Sequence, residues 1–112
     1  MLANLQMVLE TEEKTAIPYQ KAIILQSVLM SQINQEYAET MHMSGLHPYS
    51  QSLEIKEGKN IWNVCTTNEE AYHQIINPIL STEFKNFFME HDEVKISIKE
   101  KKLIKHVENY YP

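Results

Sequence analysis

The segment MHMSGLHPYSQSL, residues 41–53, places two imidazoles, His42 and His47, on either side of Gly45. An unperturbed histidine has a pKa of about 6.5, so a pair of them can accept and return protons near neutral pH. Ser44 and Ser50 flank the pair, but no G-x-S-x-G marks either hydroxyl as an activated nucleophile. As metal ligands the two histidines form H-x4-H across a turn, with no cysteine or carboxylate beside them. A second group, Glu90, His91, Asp92 and Glu93, has ligand-type side chains, and it reads as a hydrated turn before a strand. His73 and His106 read as exposed or half-buried surface positions. With only two glycines, Gly45 and Gly58, the chain has no glycine-rich phosphate cradle, which argues against nucleoside-triphosphate chemistry. No cofactor and no metal are therefore expected.

Periodicity supplies the elements that would hold these residues. Leu5, Met7 and Leu9 alternate as in a strand with one buried face. Pro18 suits a first helical position, and Ala22, Leu25, Leu29 and Ile33 then follow at helical spacing, with Ile24 and Val28 widening the stripe. Asn34 interrupts that helix. A second piece carries Tyr37, Ala38 and Met41 to Gly45, which suits a left-handed helix exit. Two strand-like runs, 49–55 and 61–66, are joined by KEGKN as a hairpin. Thr67 and Glu70 form a T-x-x-E capping box ahead of Ala71, Ile75 and Ile79, and Pro78 should bend or end that helix. TEFKNFFMEHD reads as a helix with Phe84, Phe87 and Phe88 on one side. Val94, Ile96 and Ile98 then alternate, residues 99–101 turn, and a last strand covers 103–107.

Strand, helix, hairpin, helix, strand is the split βαβ order of a ferredoxin-like (RRM-like) α+β fold. The expectation is βαββαβ with an extra C-terminal β-hairpin and helices on one face of an antiparallel sheet. One domain spans residues 1–112, because this length is that of one ordinary core burying about 65% of the unfolded surface. The 43% hydrophobic content fills such a core, and the lone Cys65 forms no internal bridge. The N-terminus has no basic leader, and no run approaches the roughly 20 apolar residues of a membrane helix. A cytoplasmic protein without membrane association is expected.

Charge argues against a whole-surface nucleic-acid binder. Fifteen acidic residues outnumber ten lysines, with no arginine, for a formal net charge of -5. Lys95, Lys99, Lys101, Lys102 and Lys105 crowd the C-terminal part, and they read first as a solvated hairpin edge kept from sheet association. Trp62, alone on the second hairpin strand, reads as core rather than as a base-stacking platform.

Taken together, Ile17-Pro18-Tyr19 opening a helix, Leu25-Gln26, Met41-His42-x-x-Gly45 and Tyr49-Ser50 resemble the N-terminal half of the CRISPR repeat-processing endoribonucleases of the Cas group. Glu93-Val94-Lys95-Ile96 with Leu103-Ile104 resembles the hairpin closing that half. The resemblance implies the N-terminal domain of a two-domain enzyme that cuts CRISPR repeat RNA without metal. In that reaction a ribose 2′-hydroxyl attacks the phosphorus and leaves a 2′,3′-cyclic phosphate. It implies His42 as a catalytic residue, His47 as the nearest counterpart of a basic residue after the glycine, and an isolated domain that is inactive. Repeat RNA, other Cas proteins and a second copy of the chain are the implied partners.

Two departures keep a second reading open. Met30 stands where some members carry a tyrosine, and no lysine follows Gly45 closely. On the second reading the chain is a non-catalytic RNA-binding or Cas-complex interaction module. His42 is then a helix-end imidazole favouring the dipole, and His47 a turn residue entering a strand.

Overall fold

The computed structural model describes residues 2–45, 47–89 and 93–106. Five strands form one sheet in the order β2-β3-β1-β5-β4, antiparallel at every pairing. Strand β1 (Leu2–Thr11) lies at the centre. It pairs with β3 (Lys59–Thr66) on one side and β5 (Val94–His106) on the other. The edges are β2 (Tyr49–Lys56) and the short β4 (Asn86–Met89). Between β1 and β2 run α1 (Ala22–Gln32) and α2 (Gln35–Ser44). A composite helix, α3, occupies residues 69–80 between β3 and β4. This is the ferredoxin-like α+β arrangement.

Alternation in β1 buries Ala3, Leu5, Met7 and Leu9 against Trp62 and Val64 of β3, which sit opposite Met7 and Leu5. Leu25 and Leu29 of α1, and Ile75, Ile76 and Ile79 of α3, close the same core. The far face of the sheet carries Asn4, beside Cys65, and a row of Gln6, Asn63 and Lys102, all of which keep contact with solvent. Trp62 is fully buried; its ring is tilted against Phe87 at 5.9 Å, and its indole N–H donates to Gln51 Oε1 at 2.7 Å. Its core role is as the alternation implied.

The β2–β3 hairpin turns at Glu57-Gly58, both at positive φ (53° and 76°), the geometry that matches the strands' own twist. Asn34 caps α2, its side chain accepting from the Tyr37 N–H at 3.0 Å. Gly45 ends the helix at φ 71°, and its N–H returns to the Met41 carbonyl at 3.2 Å.

Local expectations fail in four places. Pro18 precedes a single 3-10 turn, Tyr19–Lys21, with ψ 139°, so it stands outside the helix rather than at its first position. The T-x-x-E box does not form. Asn68 caps α3 instead, accepting from the Ala71 N–H at 2.7 Å, while the Thr67 hydroxyl donates to the Pro48 carbonyl at 3.1 Å. The expected helix over residues 82–92 does not form in the described part: residues 82–85 are irregular and Asn86–Met89 is strand β4. There Phe87 and Met89 alternate inward opposite Ile96 and Val94, and Phe84 stacks on Phe87 at 5.7 Å. The C-terminal hairpin exists, but β4 and β5 build it. Residues 99–101 do not turn: β5 runs through them, and Lys99 is the extra residue of a bulge between Val8–Glu100 and Leu9–Ile98. The Glu90-His91-Asp92 group, residue 107 and the His106 side chain lie outside the described residues.

Helix α3 also widens. Residues Tyr72–Ile76 take π geometry directly before Asn77–Leu80. Pro78 lacks the N–H that a regular helix would donate to the carbonyl four residues back, and its ring crowds that position. A π segment upstream relieves both, and the helix stops at Leu80.

Candidate active site

The site is assembled by contacts that fix the start of β2, two of them to α1 and one to the end of β3. Gln51 on β2 accepts from Trp62 and donates through Nε2 to the Ala22 carbonyl at 3.0 Å, linking the core to the first turn of α1. Two residues earlier on the same face, the Tyr49 hydroxyl accepts from Gln26 Nε2 at 3.3 Å. The Pro48 carbonyl receives both the backbone N–H of Thr67, at 2.9 Å, and its hydroxyl. These bonds hold the peptide after His47 against the end of β3.

With α2 set beyond α1, a groove of about 920 Å³ opens between the helices and the start of β2. Its walls include Gln26, Met30, Met41, His42, His47 and Tyr49. Both candidate histidines therefore face one cavity. His42 lies in the last turn of α2 one residue after buried Met41, so it points away from the core and is exposed. His47, also exposed, lines this groove and a smaller cavity of about 320 Å³ bounded by Tyr37, Thr67 and Glu70. Among the described residues no hydrogen bond ties the His42 ring to a helix carbonyl, the contact that a capping role would show.

Two tyrosines border this region. Burial pushes the Tyr49 phenol up from its ordinary value, and the bond from Gln26 partly opposes that. Burial also raises Tyr37, helped by the negative charge of Glu70. Both hydroxyls are thus held protonated, as neutral donors. Tyr49 is visible in the sequence only as part of a motif. Its place beside His42 depends on β2 starting where α2 ends, which spacing along the chain does not reveal.

The electrostatics of the groove are acidic rather than basic. Glu36 and Glu39 line it, no lysine does among the described residues, and Met30, Met41 and Met43 supply soft apolar wall. The positive group expected near a phosphate is therefore not supplied by the groove. Among the described residues no three histidine, cysteine or carboxylate side chains converge as metal ligands. His73 stands apart on α3, where Asn77 Nδ2 meets its Nδ1 at 3.1 Å and Glu69 lies 3.7 Å from its Nε2. Among the described residues no helix is long and apolar enough to cross a membrane.

No protein-family model matches the chain. It is similar to the CRISPR-associated endoribonuclease Cas6 of Mycobacterium tuberculosis, in strains CDC 1551 / Oshkosh and ATCC 25618 / H37Rv. Identity is 34% over 64 residues, which are 56% of this chain and 20% of either relative. The chain thus spans only a small part of the relatives it matches, and its likeness to CRISPR-associated endoribonucleases is partial.

Proposed function

We propose that this chain is the N-terminal ferredoxin-like domain of a two-domain, metal-independent endoribonuclease that cuts CRISPR repeat RNA into guide RNAs. The observation that carries the reading is the convergence of His42 and His47 on one open groove, in a chain whose partial relatives are named as CRISPR-associated endoribonucleases. An exposed imidazole at the end of α2 can take the proton from a ribose 2′-hydroxyl as that oxygen attacks the adjacent phosphorus. A second imidazole can return a proton to the departing 5′-oxygen, leaving a 2′,3′-cyclic phosphate. His42 takes the first role and His47 the second. The neutral Tyr49 hydroxyl stands by as a donor to a phosphate oxygen. The charge stabilisation that the groove lacks falls to residues beyond it, so the isolated chain is inactive and the parent protein cleaves.

The test is cleavage of a repeat RNA by the parent protein in the presence of a chelator, scored by cyclic-phosphate ends. His42→Ala should lower the rate about 10²- to 10⁴-fold, the usual contribution of a positioned acid or base. Unchanged cutting by that variant would remove His42 from the mechanism.

Glu36 and Glu39 in the groove, with Met30 on its wall, favour a second reading of a non-catalytic module for RNA or a Cas partner. The same assay separates the two, because that module binds repeat RNA and leaves it intact.

A further inference from the structure

The net charge of the chain is negative, yet residues 93–105 hold five lysines against two glutamates. The structure shows where they stand. Strand β4 pairs only with Val94–Ser97, and the Ile98 N–H reaches the Lys85 carbonyl at 2.8 Å. Beyond that point β1 is the only strand beside β5 among the described residues, so the outer margin of β5 from Lys99 onward has no strand neighbour. Lys99, Lys101, Lys102 and Lys105 all lie on this stretch.

Two of the four are held in place. Lys101 Nζ sits 5.4 Å from the Phe84 ring centroid and donates to the Ser81 carbonyl at 2.9 Å. Lys105 Nζ lies 4.5 Å over the Tyr72 ring. Phe84 and Tyr72 are themselves buried, so they act as fixed platforms for ammonium groups rather than as surfaces for stacking bases. Ordering a long side chain before its ligand arrives removes part of the entropy cost of binding. Lys99 is turned out by the β-bulge and has one acidic neighbour, Glu10, at 3.5 Å. The bulge also matters for placement: without it Ile98 and Glu100, on either side of Lys99, would share one face, whereas with it Ile98 sits opposite Leu9 on the core side and Glu100 opposite Val8 on the far side.

Register then relates this margin to the groove. Tyr49, Thr66, Ala3 and Lys105 form one row across β2, β3, β1 and β5. Three strand spacings, roughly 14 Å, separate the Lys105 backbone from Tyr49, which lines the groove with His42 and His47. The lysine margin thus ends at the same end of the sheet as the two imidazoles.

We propose that the free margin of β5, Lys99 to Lys105, is a track for the phosphates of single-stranded RNA leading toward the His42–His47 groove. The proposal rests on the RNA-processing reading, and at roughly 14 Å from Tyr49 these lysines bind and steer the strand rather than stabilise charge in the groove. The favoured ligand is an extended polyanion lying along the strand edge, met by Lys101 and Lys105 from the helix-bearing side, in register with Met7 and Ala3, and by Lys102 from the far side, in register with Gln6.

The experiment is binding of a fluorescein-labelled oligouridylate of about ten nucleotides to the 112-residue chain over a salt series. Each single-strand phosphate contact contributes about -0.7 to the slope of log affinity against log salt, so four lysines give about -3. The pairs Lys99→Gln/Lys102→Gln and Lys101→Gln/Lys105→Gln should each reduce the slope by about 1.4. Lys21→Gln/Lys95→Gln, on the turn before α1 and on the part of β5 that β4 covers, should leave it unchanged. The exposed Lys99/Lys102 pair keeps the test independent of any folding defect at Lys101 and Lys105. Three results would overturn the track: equal slopes in all variants, an equal effect of the control pair, or polyglutamate competing as well as RNA. Binding that ignores the β5 lysines removes the track alone, whereas His42-independent cleavage by the parent protein removes the catalytic reading alone. Absence of binding at low salt also overturns the track, and the cleavage assay then judges the enzyme by itself.

Discussion

Asn60 shows how one buried polar side chain governs the approach to α1. It is 5% exposed, and it uses Oδ1 to accept from the Ile17 N–H at 2.8 Å and Nδ2 to donate to the Leu9 and Thr15 carbonyls at 3.3 and 3.1 Å. The loop after β1 is thereby pinned to β3, which sets where α1 begins. Asn60→Ala strands a buried N–H and two carbonyls, and should destabilise the chain by about 2–3 kcal/mol in urea unfolding. Tyr49 links stability to pH. Its folded pKa is raised above the unfolded value, so the neutral phenol is the form that the fold prefers. That contribution is complete below about pH 10 and is lost as pH rises through the raised folded value. Lys101 shifts the other way, lowered by burial, so its ammonium costs the fold something at neutral pH and the cost is relieved as it deprotonates. Tyr49→Phe should therefore flatten the alkaline loss of stability, measured by unfolding at a series of pH values. A wild-type stability that stays level well above pH 10 would contradict the raised phenol.

Among the elements, the ends of α2 are governed by two residues of different kinds. Asn34→Ala removes the side-chain acceptor at the start and should cost about 1 kcal/mol. Gly45 at the end is in the left-handed region, and a methyl group there would meet no atom within 4 Å, so Gly45→Ala should also cost about 1 kcal/mol, from backbone conformation alone. Because His42 lies in the turn that Gly45 closes, the proposed ribonuclease reading expects that substitution to reduce repeat-RNA cleavage more than the stability loss explains. For α3 the cap is Asn68, so Asn68→Ala should destabilise by about 1 kcal/mol through helix capping. Thr67→Ala acts through the loop, by removing one of two donors on the Pro48 carbonyl. Comparing the two variants by thermal unfolding and by activity separates a helix cap from a loop anchor.

For the molecule as a whole, the sheet order puts β1, with Ala3, Leu5, Met7 and Leu9 buried, between two long neighbours and leaves the four-residue β4 at one edge. Amides of β1 and β3 should exchange with solvent only through global unfolding, while those of β4 exchange by local opening. Hydrogen exchange followed residue by residue checks this, and equal protection in β4 and β1 would show that the sheet opens only as one unit. Charge is also partitioned at this scale. The helix groove is lined by carboxylates and the β5 margin by lysines, so the net charge of -5 describes neither surface.

Alternation in β1, the Leu25–Leu29 stripe, the hairpin around Gly58 and the glycine exit of α2 were legible along the chain. Each depends on side chains within a few residues of one another, and together they specified the ferredoxin-like order. His42 and His47 were legible as chemically capable residues for the same reason. Local pattern misled where tertiary pairing was the stronger term. Phe84, Phe87 and Phe88 satisfy helical spacing, yet pairing with β5 drew Phe87 and Met89 into a strand, and a lysine-rich stretch that looks like a turn is a bulge in a continuous one. Only the folded chain decided that both imidazoles face one groove, that Tyr49 joins them, and that Lys105 shares their end of the sheet. Those relations are set by strand register and helix packing between residues far apart in sequence, whose contacts form only when the core closes.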